Sequence, residues 1–169
     1  MRWNWVVIPL ITIIVSVSGG LLTDTGISGM AGEPGWYETI NKPDFTPPGS
    51  FIGTVWTILY ILATISVLIF WNLHQPFGTR PRDSRFRFIT FMFILNAFLN
   101  VLWSFLFFNQ HLIFAAFIEA MALGLTVVIL AVAVWPISKW ASVLLIPYAA
   151  WVGFASFLNY SIWILNRAA

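Results

Sequence analysis

The side chains with the most chemistry to offer in this sequence are indoles, phenols and amides rather than thiols or ion pairs. Its 169 residues include ten tryptophans and no cysteine. Trp3, Trp5, Trp71, Trp135, Trp140 and Trp163 stand near the ends of apolar runs, where an indole anchors at a membrane interface. Trp56, Trp103 and Trp151 lie further inside such runs, where the indole N–H needs a partner. Each shares a helical face with polar or aromatic neighbours. Ile52, Trp56 and Tyr60 follow at four-residue steps, and Asn96, Asn100, Trp103 and Phe107 recur on one face with Ser104 beside them. Tyr148, Trp151, Ala155 and Leu158 form a third stripe. A mid-membrane amide turned to lipid would go unsatisfied, so these three faces are expected to turn toward one another. Periodicity leaves two readings of that convergence open. One is a bundle interior glued by polar contacts, the other an apolar pocket for a flat aromatic ligand.

Glu119, the one carboxylate deep inside an apolar run, is either a neutral acid bonded within the bundle or a ligand contact. Other chemistries find no residues. There is no glycine-rich phosphate loop and no carboxylate pair within reach. His74 and His111 are too far apart in sequence and too near water to suggest a metal site. Hydrolysis and phosphoryl transfer are therefore disfavoured, and no metal or cofactor is expected. The absence of cysteine removes disulfides and thiolate chemistry. Nucleic acid is also an unsuitable partner, because the net charge is only +2 and the basic residues gather in one loop.

The elements that must position these residues follow from composition. Hydrophobic residues make up 60% of the chain and charged residues 8%, well below the roughly 25% charged of soluble domains. Five apolar runs, at about 5–22, 51–73, 88–108, 112–134 and 141–165, are each long enough to cross roughly 30 Å of hydrocarbon. Their continuous apolarity excludes the alternation of a barrel, so backbone satisfaction requires helices. The expectation is one all-α domain over 1–169, a five-transmembrane-helix bundle. The first run reads as a retained helix, since no small-residue cleavage site follows it convincingly. The long connection 23–49, rich in Gly and Pro, is the expected functional loop.

Arg2, Arg80, Arg82, Arg85, Arg87 and Lys139 fall on one side of such a bundle and only Lys42 and Arg167 on the other. The positive-inside rule then puts the N-terminus inside and the first loop outside, so Ser84 and Gly35 should face opposite compartments. The acids Asp24, Glu33, Glu38 and Asp44 of that loop contribute little to orientation. Ala116, Ala120 and Gly124, and again Ala149 and Gly153, form small-residue ridges that permit close helix approach within one chain or between two.

Three motifs in register carry a resemblance. Trp36-Tyr37-Glu38-Thr39-Ile40-Asn41-Lys42-Pro43-Asp44-Phe45-Thr46-Pro47-Pro48-Gly49, followed by Trp56, is similar to the pattern W-Y-x-x-L-x-K-P-x-[WF]-x-P-P-x. Asn100-Val101-Leu102-Trp103-Ser104 with Phe107 and Phe108 is the second motif. Pro147-Tyr148-Ala149-Ala150-Trp151 and Phe157-Leu158-Asn159-Tyr160-Ser161-Ile162-Trp163 make the third. Together they resemble the TspO/translocator protein family, the tryptophan-rich sensory proteins or peripheral benzodiazepine receptors, over about 36–167.

The resemblance implies a five-helix membrane receptor or transporter-like protein, a homodimer, in a prokaryotic cell membrane. Its ligands would be porphyrins such as protoporphyrin and haem-type tetrapyrroles, and in some members sterols or benzodiazepine-type compounds. By motif, Tyr37 and Pro47 would roof the pocket and Ile52, Trp56 and Tyr60 would line one wall. Asn100, Trp103, Ser104 and Phe107 would line a second, and Trp151, Ala155 and Leu158 a third. Ala120 would touch ligand from the fourth span, with Glu119 standing where relatives often carry Asp. Some bacterial members imply light-dependent protoporphyrin degradation, with Trp56 and Trp151 as the catalytic pair. An excited porphyrin, or the oxygen product it generates, can oxidise an indole in contact with it. The sterol-recognition pattern of animal relatives is missed by one position, since six residues separate Tyr160 from Arg167.

Overall fold

Apolar runs of this length have no water to satisfy their backbone in a bilayer, and they coil. In the computed structural model, which describes residues 3–28, 34–74 and 84–167, every long apolar run is helical. The elements are α1 (Asn4–Ile27), α2 (Trp36–Thr39), α3 (Gly49–His74), α4 (Ser84–Ser104), α5 (Ile113–Val134), α6 (Lys139–Val143) and α7 (Ile146–Asn166). Five stretches are long and apolar enough to cross a membrane: α1, α3, α4 with its extension to Asn109, α5, and α6 with α7. Arg2, Glu33, Arg80, Arg82 and the side chain of His74 lie outside the described residues.

α5 is the most enclosed element, packed chiefly on α7 and α4, while α1 rests on α3, α4 and the α4 extension. Of the α1 residues only Gly19 and Gly26 are buried. Its apolar residues, among them Leu10, Ile14, Val17 and Leu21, face outward, as lipid-solvated side chains do. Two clusters form the interior. One, around Phe70, Phe86, Leu130, Leu145 and Tyr148, fills the end of the bundle that carries the N-terminus. The other, around Phe107, Phe108, Ala116, Leu158 and Ile162, fills the end beneath the first loop. Ala116 and Ala120 are 0% and 2% exposed, so that small-residue ridge is consumed by packing within the chain. Gly153 is exposed, with nothing close to where a Cβ would stand.

The structure corrects three sequence expectations. The first helix does not stop at Leu22 but runs to Ile27, because polar residues there are satisfied along the helix. Thr23 Oγ1 donates to the Gly19 carbonyl at 2.8 Å and Thr25 Oγ1 to that of Leu22 at 2.6 Å. The third span begins at Ser84 rather than at 88, and its last turn, Phe105–Asn109, is π-helical. The wider turn brings both Phe107 and Phe108 into the core. The fifth span is two helices, α6 and α7, separated at Leu144 and Leu145, with a proline in the first turn of α7.

The tryptophans divide as well. Trp3, Trp5, Trp135 and Trp140 are exposed near helix ends, as interfacial anchors are. Trp71 and Trp163 are half-buried instead, Trp71 edge-on to Phe86 and Trp163 against Phe114 at 4.7 Å.

Candidate ligand site beneath the first loop

The loop is pinned over the bundle by backbone-directed bonds. Lys42 Nζ donates to the carbonyls of Tyr37 and Ile40, at 2.5 and 3.2 Å, and lies 4.7 Å from the Tyr37 ring centroid. The Asn166 amide at the end of α7 closes a two-way bond with Asn41. Its Nδ2 donates to the Asn41 carbonyl at 2.8 Å and its Oδ1 accepts from the Asn41 N–H at 2.9 Å. Trp36 stacks on His111 at 4.1 Å, and His111 holds a left-handed backbone with φ 56° in the tight α4–α5 connection. Phe45 stacks on Phe157 at 5.4 Å. The loop is therefore tied to α7 and to the α4–α5 turn.

Beneath it lies a cavity of about 50 Å3. Tyr37 closes it from α2, and its ring also contacts Phe107 and Phe108. Burial holds the Tyr37 phenol above its usual range, so it keeps its proton and its donor at neutral pH. Ile52 and Trp56 come from α3, Trp103 and Phe107 from α4 and its extension. Trp151, Ala155 and Leu158 come from α7. Eight residues selected from the sequence thus meet around one space. Trp103 and Phe107 stack at 5.2 Å with planes 12° apart, giving a flat aromatic wall. The Trp103 indole donates to Asn159 Oδ1 at 3.1 Å, and Asn159 Nδ2 donates to the Ile113 carbonyl at 2.8 Å. The Trp151 indole N–H is buried with no hydrogen-bond partner among the described residues.

The other expected site residues sit elsewhere. Tyr60 and Asn100 line a second, larger cavity at the opposite end of the bundle. The reason is depth, because Tyr60 lies two helical turns, about 12 Å, along α3 from Ile52. Asn100 is engaged in a hydrogen-bond network. It donates to the Tyr148 hydroxyl and to the Asn96 carbonyl, the latter at 2.9 Å. Tyr148 donates to Asn96 Oδ1 at 3.0 Å, and Asn96 Nδ2 donates to Thr126 Oγ1 at 2.8 Å. For Asn96 and Asn100 the structure thus realises the interior glued by polar contacts.

Pro47 is half-buried in the loop and Ser104 is buried facing α1, neither lining the small cavity. Glu119 and Ala120 are buried on α5 outside its lining, and neither Glu119 oxygen has a hydrogen-bond partner among the described residues. Phe154, Asn159 and Ile162 line the cavity but had no role in the sequence reading. The signal was present, since Ala155, Asn159 and Ile162 continue the Trp151 stripe at steps of four and three.

Comparison with known proteins shows the family. The sequence model of the TspO/MBR family matches residues 6–164. The "Tryptophan-rich protein TspO" of Archaeoglobus fulgidus is 41% identical over 131 residues, 78% of this chain and 80% of that protein. The protein of the same name from Bacillus cereus is 34% identical over equal shares. The "Translocator protein" of Sus scrofa is 28% identical over 157 residues, 91% of this chain and 87% of its own. With a family match across nearly its whole length, the chain belongs to the TspO/MBR family and is an integral membrane protein with five transmembrane helices.

Proposed function

We propose that the protein is a receptor or transporter-like binder of porphyrins, taking protoporphyrin or a haem-type tetrapyrrole between α3, α4 and α7 beneath the first loop. The observation that carries this reading is the convergence of Trp56, Trp103 and Trp151 with Tyr37 on one apolar space. A flat macrocycle suits the stacked Trp103–Phe107 wall, and the Lys42 ammonium at the loop supplies a cation near the mouth. The cavity in this closed form is far below the roughly 300–1,000 Å3 of pockets that take drug-sized ligands, so binding requires the loop to lift. That motion would release the Asn41–Asn166 pair and the stacks of Trp36 on His111 and Phe45 on Phe157. Sterols and benzodiazepine-type compounds are secondary candidates for the same apolar space, and a second copy of the chain is the proposed partner.

A degradative reading is favoured by the placement of both Trp56 and Trp151 around that cavity. With dioxygen as oxidant, an illuminated porphyrin there would have two oxidisable indoles within contact range. The discriminating experiment follows porphyrin absorbance under steady illumination for wild type, Trp56→Phe, Trp151→Phe and lipid alone, at equal bound porphyrin. Phe keeps an apolar ring, so both variants should bind within a few-fold of wild type, and degradation predicts that their bleaching falls to the rate in lipid alone. Bleaching at the wild-type rate in both variants makes the protein a binder only. Failure of wild type to bind porphyrin at all would remove both readings.

The proposed orientation puts the first loop outside. Arg85, Arg87 and Lys139 lie at the N-terminal end of the bundle, and Lys42 and Arg167 lie at the other. Gly35 is unsuitable as a labelling site, because a Cβ there would fall 2.0 Å from the Ile27 carbonyl oxygen. Glu38 and Ser84 are both exposed. A single cysteine at each, in this cysteine-free chain, should react with an impermeant thiol reagent from opposite sides. Reaction of both from one side would overturn the arrangement.

A further inference from the structure

A cavity of about 520 Å3 lies at the end of the bundle away from the loop. It lies between the first half of α1, the second half of α3 and the first half of α4, and its size is that of a ligand pocket. Two polar pins hold α1 beside α3 along its edge. Asn4 Nδ2 donates to Asn72 Oδ1 at 3.1 Å, and the Thr64 hydroxyl donates to that of Thr12 at 2.8 Å. Ala63 and Ala97 stand in the walls where larger residues would fill the space. Val7, Ile11 and Ile94 at the rim are 43%, 49% and 63% exposed, so the cavity opens toward lipid.

Its inner end is polar. Tyr60, Asn96, Asn100 and Tyr148 meet there, and the network leaves capacity for a guest. The Tyr60 hydroxyl approaches Asn100 Oδ1 only at 3.5 Å, the outer limit of a hydrogen bond, while an amide oxygen accepts two. Among the described residues no Asp, Glu, Lys, Arg or His lines the cavity. An ionised guest would therefore be buried without a counter-charge, at high cost.

From this we infer that the cavity is a second binding site, for a neutral lipid-like molecule that enters from the bilayer and places one hydroxyl or carbonyl between Tyr60 and Asn100. The inference stands independently of the porphyrin reading. The test uses a sixteen-carbon alcohol carrying a diazirine in its chain, photolysed with the reconstituted protein and mapped by mass spectrometry. Adducts should concentrate on Ala63, Val67, Phe93 and Ala97 and saturate with dose. Unlabelled alcohol should compete, while the matching ionised carboxylate should not. Ala97→Phe, or Ala63→Leu if the first variant folds poorly, should lower labelling there about tenfold, as loss of roughly 1.4 kcal/mol of binding would. Tyr60→Phe should abolish the preference for alcohol over the corresponding alkane. Labelling that does not saturate, spreads evenly over the lipid-facing residues, or persists in both filled variants overturns the site.

Discussion

Gly35→Ala is expected to release the first loop and to lower porphyrin affinity about tenfold. The single added methyl would stand 2.0 Å from the Ile27 carbonyl oxygen and 2.8 Å from that of Gly26, both backbone atoms that cannot rotate away. Gly35 has φ −65°, which any residue adopts, so the requirement is for space and not for a special conformation. Overpacking of this kind costs about 1–3 kcal/mol. Here the cheapest escape is undocking of α2, since Gly35 caps it and its carbonyl accepts from the Glu38 N–H at 2.9 Å. Undocking withdraws Tyr37 from Phe107 and Phe108 and opens the small cavity. Porphyrin titration and limited proteolysis of the loop read the two consequences together. A variant that binds and resists protease like wild type would show that α2 is not held by this contact.

Trp103→Ala should weaken binding about three-fold or more and also lower thermal stability. An aromatic stack is worth roughly 0.5–1.5 kcal/mol beyond the area it buries, and the Phe107 wall loses its partner. Asn159 loses its donor as well, and interhelical bonds in membranes average about 0.6 kcal/mol. Trp103→Phe separates the two terms, because it retains a ring for stacking but no N–H. Its affinity should recover most of the loss while its melting temperature recovers less. Trp3→Ala is the control, since Trp3 is 76% exposed at the opposite end. Equal losses for Trp103→Ala and Trp3→Ala would mean that ligand is not under the loop.

Helical phase was legible in the sequence, while depth and register were not. The stripes through Trp56, Trp103 and Trp151 do face one another, because four-residue steps fix the side of a helix that a residue occupies. The same steps say nothing about how far along the bundle axis a space extends. Tyr60 shares the Trp56 face and yet lines the larger cavity. The π-helical turn at Phe105–Asn109 has no pattern in an apolar run where every residue suits either face. Thr23 and Asp24 look like loop in the sequence, whereas a threonine hydroxyl that bonds back to the preceding turn lets α1 continue through them. The resemblance supplied the loop pocket's membership. It did not supply the second cavity, which is set by how α1, α3 and α4 pack, a tertiary outcome that no local pattern encodes.

The Asn96–Asn100–Tyr148–Thr126 network has a consequence for permeation. It lies across the bundle between the two cavities, with its hydrogen bonds made from α4 to α5 and α7. A solute moving along the bundle axis would have to break these bonds one after another in a medium that offers no water to replace them. The two cavities are thus separated by hydrogen-bonded side chains. If this protein carries cargo from one leaflet to the other, a route along the bundle axis requires these bonds to open, and a route along its lipid-facing grooves does not.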